Sequence, residues 1–512
     1  MLQSKLVLHS LDKYEKIKTK EITAIITIIV MLNIFHASAI LKLLFCRPYK
    51  PCYCDHLESP KKLLNNQSQV FPMDRFANKI KKELQKRGAT DIIIATSQTN
   101  ADQIKFTNNK ISTTQTWKAD KIDIFIAIGK RIATTSLKEF TDNGINKTVN
   151  ELIALAKNAP PNEDYSCIAK GPFKYKNIDD LYDKKITTAN KAEIVEKSIQ
   201  EAINHGGKRI SGILETGEGE IRIISSGNVD AQTKSTSAYL SLRALADKDA
   251  SGHITTASRT ISKFNYMQAA KEAGEIAKKS LNPKTGISGK YDIIFMPLAF
   301  TNLLSLVAEA TSVFAVESGF SFLVNKLNKK VASNMVSLYD DPQEENGLGS
   351  IPFDAEGHPT MKKAIIEKGI LKTYLHNSST AKRYKTKSTG NAGIISPTPF
   401  NTVLKKGDYS EEELIKATKN GLLVTNLWYT RFTNYATGEF STIPRDGIFF
   451  IKNGKIQYPV KGIRISDSFP NILQNVTAVG NEPKKIISWE AETPCTTPAV
   501  LVKNINVTKP TE

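Results

Sequence analysis

The chain has 512 residues, 40% hydrophobic and 24% charged, a globular balance that excludes disorder through most of the length and leaves room for two or three domains. Its formal net charge is +19, of which the first 72 residues contribute +5. The excess is spread along the chain without a dense Lys/Arg block, so a dedicated nucleic-acid binder is not expected. Three of the five cysteines (Cys46, Cys52, Cys54) share one short stretch, which excludes a disulfide framework, and Cys167 and Cys495 read as a reduced, cytoplasmic complement.

From Ile22 to Leu41 the sequence carries no charge apart from His36, long enough for a membrane-spanning helix. Two readings of residues 1–72 stay open. They form an N-terminal extension with a real anchor, or they come from an upstream start and the working protein begins at Met73. Cys52, Cys54 and His56 in "CRPYKPCYCDH" match no standard zinc spacing.

After Met73 one order of elements occurs twice. A helix over 74–87 stops at Gly88 and precedes β-branched runs such as "DIIIATSQT" and "KIDIFIAIG"; a helix near 189–204 stops at Gly206-Gly207 and precedes "RISGILETGEGEIRIISSG" and "TSAYLSLRALADKDASGHITTAS". "NAPPNEDYSCIAKGPF" between them reads as a linker, "TGEGE" (216–220) as a hairpin turn, and a helix over 265–281 ends at Asn282-Pro283. The expected fold class is α+β: duplicated helix-plus-antiparallel-sheet units over 73–160 and 161–285, then a β-rich C-terminal domain over 286–512.

In that last part "YDIIFMPLAF" predicts a buried strand leading into a helix that is apolar nearly all round and carries one acid, Glu309. An ionised carboxylate there needs a partner or a task, because burying it alone costs several kcal/mol, roughly. "KNGK" (452–455) between apolar runs predicts a two-residue hairpin. His205, His253, His358 and His376 each lie near a predicted turn, and surface solvation is expected for all four.

Seven segments then occur in order: "SLYDDP" (337–342), "FDAEG" (353–357), "KGILKTYLHNSSTA" (368–381), "STGNAG" (388–393), "GLLVT" (421–425), "TGEFS" (437–441) and "PVKG" (459–462). Together they resemble the TldD/PmbA family of peptidases, also called modulators of DNA gyrase, over residues 74 to 511. The resemblance implies that a helical HExxxH of the catalytic TldD branch falls on Ala308-Glu309-Ala310-Thr311-Ser312-Val313. Its glutamate is retained, while aliphatic residues replace both zinc-binding histidines. The departure matches the metal-free TldE/PmbA branch. It implies a non-catalytic subunit with no cofactor of its own, paired with a zinc-bearing TldD-type partner that hydrolyses peptides.

Glu309 is then a relic satisfied by a local partner. Cys495 lies where the catalytic branch takes a cysteine ligand, but its surroundings do not match. Thr389, Gly390, Asn391 and Gly393, with Thr437, Gly438 and Ser441, are candidates for a groove that binds an extended peptide, or else for tight turns the fold requires. Two other functions stay open: a self-sufficient hydrolase built on Glu309, and a non-enzymatic peptide- or nucleic-acid-binding homo-oligomer. A membrane is a partner only if 22–41 is a real anchor.

Overall fold

The structure, a computed structural model, describes residues 72–509; the expected span 22–41 and the Cys52/Cys54/His56 cluster lie outside the described residues. Among the described residues no helix is long and apolar enough to cross a membrane.

The first N-terminal unit is α1 (Pro72–Lys86), β1 (Asp91–Thr107), β2 (Lys110–Ile128), β3 (Arg131–Leu137) and α2 (Asp142–Asn158). The second repeats the order as α3 (Lys191–Asn204), β4 (Arg209–Ser225), β5 (Asp230–Asp247), β6 (Ala250–Ser258) and α4 (Tyr266–Lys279). The two units share one six-stranded sheet in the order β3-β2-β1-β4-β5-β6, joined where β1 and β4 pair antiparallel from Ile93↔Ser225 to Phe106↔Gly212. One face of the sheet is covered by helices: Ile80 and Leu84 of α1 pack with Ile92, Ile94, Ile122 and Val149, and Val195 and Ile199 of α3 with Leu240, Leu242 and Ala273. On the other face Ile93, Phe125, Ile223 and Val229 meet Ile351 and Phe353 of the C-terminal part.

Two expectations need correction here. "TGEGE" is not a hairpin turn: Gly217 and Gly219 sit inside β4, between β1 and β5, where Gly217 faces Asn100 and Ala101 so closely that a Cβ would lie 3.0 Å from the Asn100 carbonyl oxygen. Nor are all four histidines at the surface. His253 (β6) and His376 are buried, each with a hydrogen-bonding neighbour that makes burial affordable: Ser241 Oγ 2.8 Å from His253 Nε2, and Thr380 Oγ1 3.3 Å from His376 Nδ1.

The C-terminal part begins with β7 (Gly289–Phe295) and α5 (Pro297–Glu309), followed by α6 (Val313–Glu317), β8 (Leu338–Asp340), α7 (Ser378–Arg383) and β9 (Thr402–Leu404). It ends with β10 (Asn420–Asn434), β11 (Glu439–Lys452), β12 (Lys455–Lys461), β13 (Arg464–Ser468), β14 (Cys495–Thr497) and β15 (Val500–Thr508). Strands β10, β7, β15, β13 and β11 pair in that order, and β11 pairs back to β10, closing a ring that leaves no open edge among them. The predicted hairpin joins β11 to β12, with Asn453 and Gly454 at φ 52 and 73 between the paired Lys452 and Lys455. A second six-stranded sheet holds β8, β9 and β14. Between ring and sheet lies the main core, where Phe300, Leu303 and Val307 of α5 pack with Phe295, Val424, Val502 and Leu338.

Candidate functional site

Helix α5 starts with Pro297 at its first turn, where a missing N–H costs nothing, and its residues are buried on nearly every side. It ends at Glu309, before the end of the 308–313 segment that the resemblance expects to be helical. Thr311 Oγ1 donates to the Ala308 carbonyl, Ser312 Oγ donates to the Pro397 carbonyl at 2.7 Å, and Val313 N and Leu375 N bond to Leu375 O and Thr311 O. Side-chain hydroxyls and a bridge to Leu375 thus replace the helical ladder. Ala308 and Val313 therefore belong to separate helices, and both are fully buried, Val313 within the main apolar core.

Glu309 is half-buried. Ser305 Oγ, one turn earlier, donates to Glu309 Oε1 at 3.4 Å and accepts from Thr493 N at 3.1 Å, so the acid is tied through Ser305 to the loop before β14. That loop is stitched to α5 again at Asn302, which accepts from Ser488 Oγ and donates to the Leu427 carbonyl. Cys495 follows in β14, buried, its thiol directed to the Thr493 and Thr301 carbonyls at 3.4 and 3.9 Å. Burial pushes the thiol pKa up; Glu309 is close enough to push it further. Reasoning from sequence set Cys495 aside, and the fold brings it to the neighbourhood of Glu309. The pair does not make a zinc site. Alanine and valine at 308 and 313 offer no donor, a protonated thiol is a poor ligand, and among the described residues no three His, Cys, Asp or Glu side chains converge on a metal-sized space.

"STGNAG" lies elsewhere, in a buried polar network. Asn391 is fully buried; its Nδ2 donates to Asp340 Oδ2 at 2.7 Å and to the Thr398 carbonyl at 2.9 Å, and its Oδ1 accepts from Lys363 Nζ at 2.8 Å. Lys363 Nζ also pairs with Asp340 at 2.9 Å. Thr389 exchanges hydrogen bonds with the backbone of His376, and Gly393 N bonds to the Ser396 carbonyl. Gly390 has φ +64, and a Cβ on it would lie 2.5 Å from the Pro359 carbonyl oxygen. The hydrogen-bonding capacity of Asn391 is taken up within the chain.

The neighbouring "FDAEG" turn joins the same network. Asp354 accepts from the backbone N–H groups of Glu356 and His358 at 3.0 Å each and of Ala392 at 2.9 Å. Glu356 accepts from Ser378 N at 3.3 Å. Burial raises the pKa of both acids, and Asp354 raises that of Glu356 further. The linker crosses this point: Ser166 bonds to Ser379, the Cys167 thiol to the Ser378 carbonyl, and Tyr165 Oη donates to Asp91 at 2.6 Å. Sequence reasoning did not mark these two acids; a DxE pair inside a glycine-terminated apolar turn was the available signal.

"TGEFS" leads from the tip of the β10–β11 hairpin into β11, where Ser441 pairs with Arg431 and Ser466. Thr437 is exposed. Gly438, at φ +73, presses on Phe322 and Pro470, and Ser441 Oγ accepts from Arg464 Nη1 at 2.7 Å. The exposed rings of Phe320 and Tyr435 meet edge-on beside the tip, 5.6 Å apart. The fold therefore separates the predicted groove residues into a buried network and a surface hairpin.

Residues 176–281 match the family model described as the PmbA/TldA metallopeptidase central domain, and residues 288–509 match its C-terminal domain. A metalloprotease PmbA homologue of Haemophilus influenzae is 28% identical over 375 residues, covering 70% of this chain and 81% of that protein. A protein of Methanocaldococcus jannaschii named as a metalloprotease is 35% identical over 227 residues, covering 42% of this chain and 49% of its own length. The crystal structure of TldE from Thermococcus kodakarensis shares the fold, with a TM-score of 0.76 at 22% identity over 86% of this chain and all of that one.

Proposed function

Because the chain belongs to the PmbA/TldD metallopeptidase family, we propose that it is the metal-free, TldE/PmbA-like subunit of a two-chain peptidase acting on unfolded or small peptides. A TldD-type partner would hold the zinc, which supplies a Lewis acid and an activated water. This chain contributes walls and a surface for the substrate. The observation that supports the reading is the state of residues 308–313: Ala308 and Val313 are closed into the core and offer no metal ligand, and Glu309 accepts a hydrogen bond from Ser305. The hairpin tip at Thr437 and Gly438, with Ser441 in the adjoining β11 and the rings of Phe320 and Tyr435 beside it, is the proposed place for an extended peptide. The cytoplasm is the proposed compartment, in keeping with the free thiols of Cys167 and Cys495.

Purification of the chain from its native host under mild conditions tests the reading. A one-to-one companion with HExxxH is expected, whose cleavage of unstructured peptides falls when this chain is removed. A companion that cleaves equally well alone, or recovery of this chain by itself, would overturn it.

A further inference from the structure

Eight buried side-chain polar atoms among the described residues lack a hydrogen-bond partner, and three of them, Arg243 Nε, Thr255 Oγ1 and Trp428 Nε1, fall in one region where β5 and β6 meet the ring strand β10. Register places them. Ser241 lies opposite Thr255 and Arg243 opposite His253, so these four side chains share one face of the sheet. The Arg243 guanidinium sits over the Trp428 ring at 5.0 Å, and Arg445 sits over the same ring at 4.4 Å. A buried donor without a partner destabilises the chain until something accepts from it, and all three atoms are able to donate.

At first sight the neighbouring residues offer a nucleophile. Ser241 Oγ is 2.8 Å from His253 Nε2, and Asn426 Nδ2 is 2.9 Å from His253 Nδ1. The orientation of the amide decides against it. Asn426 Oδ1 accepts from Leu427 N at 2.9 Å, and Nδ2 also points to Asp446 Oδ2 at 3.3 Å, so the amide donates to Nδ1. The hydrogen-bond network thereby assigns the ring hydrogen to Nε2, and His253 donates to Ser241. A ring in that tautomer cannot take the serine proton. Burial holds His253 toward its neutral form. Ser241 is left with its own hydroxyl hydrogen directed elsewhere, a further donor at the same place.

We infer that this junction is a binding site for a carboxylate. Its open valences are donors: the indole N–H, the Arg243 Nε–H and the Thr255 hydroxyl, with Ser241 beside them. Its charge is favourable, because Arg243 and Arg445 stand against one carboxylate, Asp446, which Arg243 already pairs at 2.7 Å. The other nearby acid, Glu490, is occupied by the backbone N–H groups of Tyr429 and Thr430 and by Arg431. The ring of Trp489, 5.2 Å from Trp428, and that of half-exposed Tyr429, 6.1 Å from Trp428 and 5.7 Å from Trp489, make the approach apolar. The ligand is thus a carboxylate next to an apolar side chain, at a peptide C-terminus or on an acidic residue. Only the peptide origin rests on the peptidase-subunit reading.

Indole NMR of the isolated full-length chain tests it, since Trp428 has only Trp117 and Trp489 to be distinguished from. The probes are an acetylated tripeptide ending in phenylalanine with a free carboxylate, the same peptide as its amide, and that amide with an aspartate side chain added. The free acid is expected to shift the Trp428 indole resonance saturably and the plain amide to leave it unmoved. A shift by the aspartyl amide as well assigns the carboxylate to side chains and equally supports the site. Thr255→Val should weaken binding about fivefold without lowering the melting temperature, because the hydroxyl it removes has no partner in the unliganded chain. Equal shifts by acid and plain amide, no shift with millimolar free acid, or unchanged binding by Thr255→Val would each overturn the proposal. No partner subunit enters the assay, so its result is separate from that of the co-purification.

Discussion

Ala308 and Val313 stand where the proposed reading would place the two histidines of the motif. Both sites are filled to zero exposure, so restoring a histidine at either one inserts a larger, polar side chain into packed space. Ala308→His and Val313→His should each destabilise the chain by about 1–3 kcal/mol, measured by denaturant unfolding, and added zinc should not restore the melting temperature. His376 carries a pH dependence. Burial lowers its pKa from 6.5 to about 4. A base depressed in the folded state contributes stability above its unfolded pKa and loses it as pH falls, so acid should weaken the fold between about 6.5 and 4. His376→Gln is expected to flatten that slope. Glu356 works in the opposite sense, since burial beside Asp354 raises its pKa. Its contribution is full below the ordinary carboxyl range and lost as pH rises. Glu356→Gln should therefore gain stability relative to the parent at pH 8 and not at pH 4, and equal effects at both would refute the assignment.

At the scale of elements, α2 was hidden behind its own cap. Thr141-Asp142-Asn143-Gly144 reads as a turn, yet Thr141 Oγ1 accepts from Gly144 N at 3.0 Å and starts the helix. Gly144 is there because a Cβ would lie 2.4 Å from the Glu139 carbonyl oxygen. The readable signal was the spacing of Ile145, Val149, Leu152, Ile153 and Ala156. Leu152→Ala should cost about 2–5 kcal/mol in denaturant unfolding. Gly390→Ala should cost more than an ordinary glycine substitution, above about 1 kcal/mol, because both its φ and its contact with Pro359 oppose a side chain. The doubled helix-and-sheet order, the Asn453-Gly454 hairpin and the buried character of α5 were legible because each depends on local periodicity or a turn dipeptide. Where α5 stops was not, since its end is set by Pro397 and Leu375. The burial of His253 was not, since Asn426 lies 173 residues away. Nor was the approach of Cys495 to Glu309, which two distant segments create on folding.

For the whole molecule, the shared sheet ties the N-terminal units together more firmly than a linker would. A fragment that ends at residue 160 would expose the long backbone edge of β1 that β4 covers. It should aggregate when expressed alone and become soluble when residues 161–285 are co-expressed; a soluble monomer from the fragment alone would show that the seam is dispensable. That seam is also symmetric. Each half runs helix, three strands, helix, and the halves meet through equivalent first strands in antiparallel array, the contact two identical molecules would make about a two-fold axis. The N-terminal half of this protein thus has the arrangement of a symmetric dimer carried on one chain, in which each unit covers the strand edge that the other would leave open.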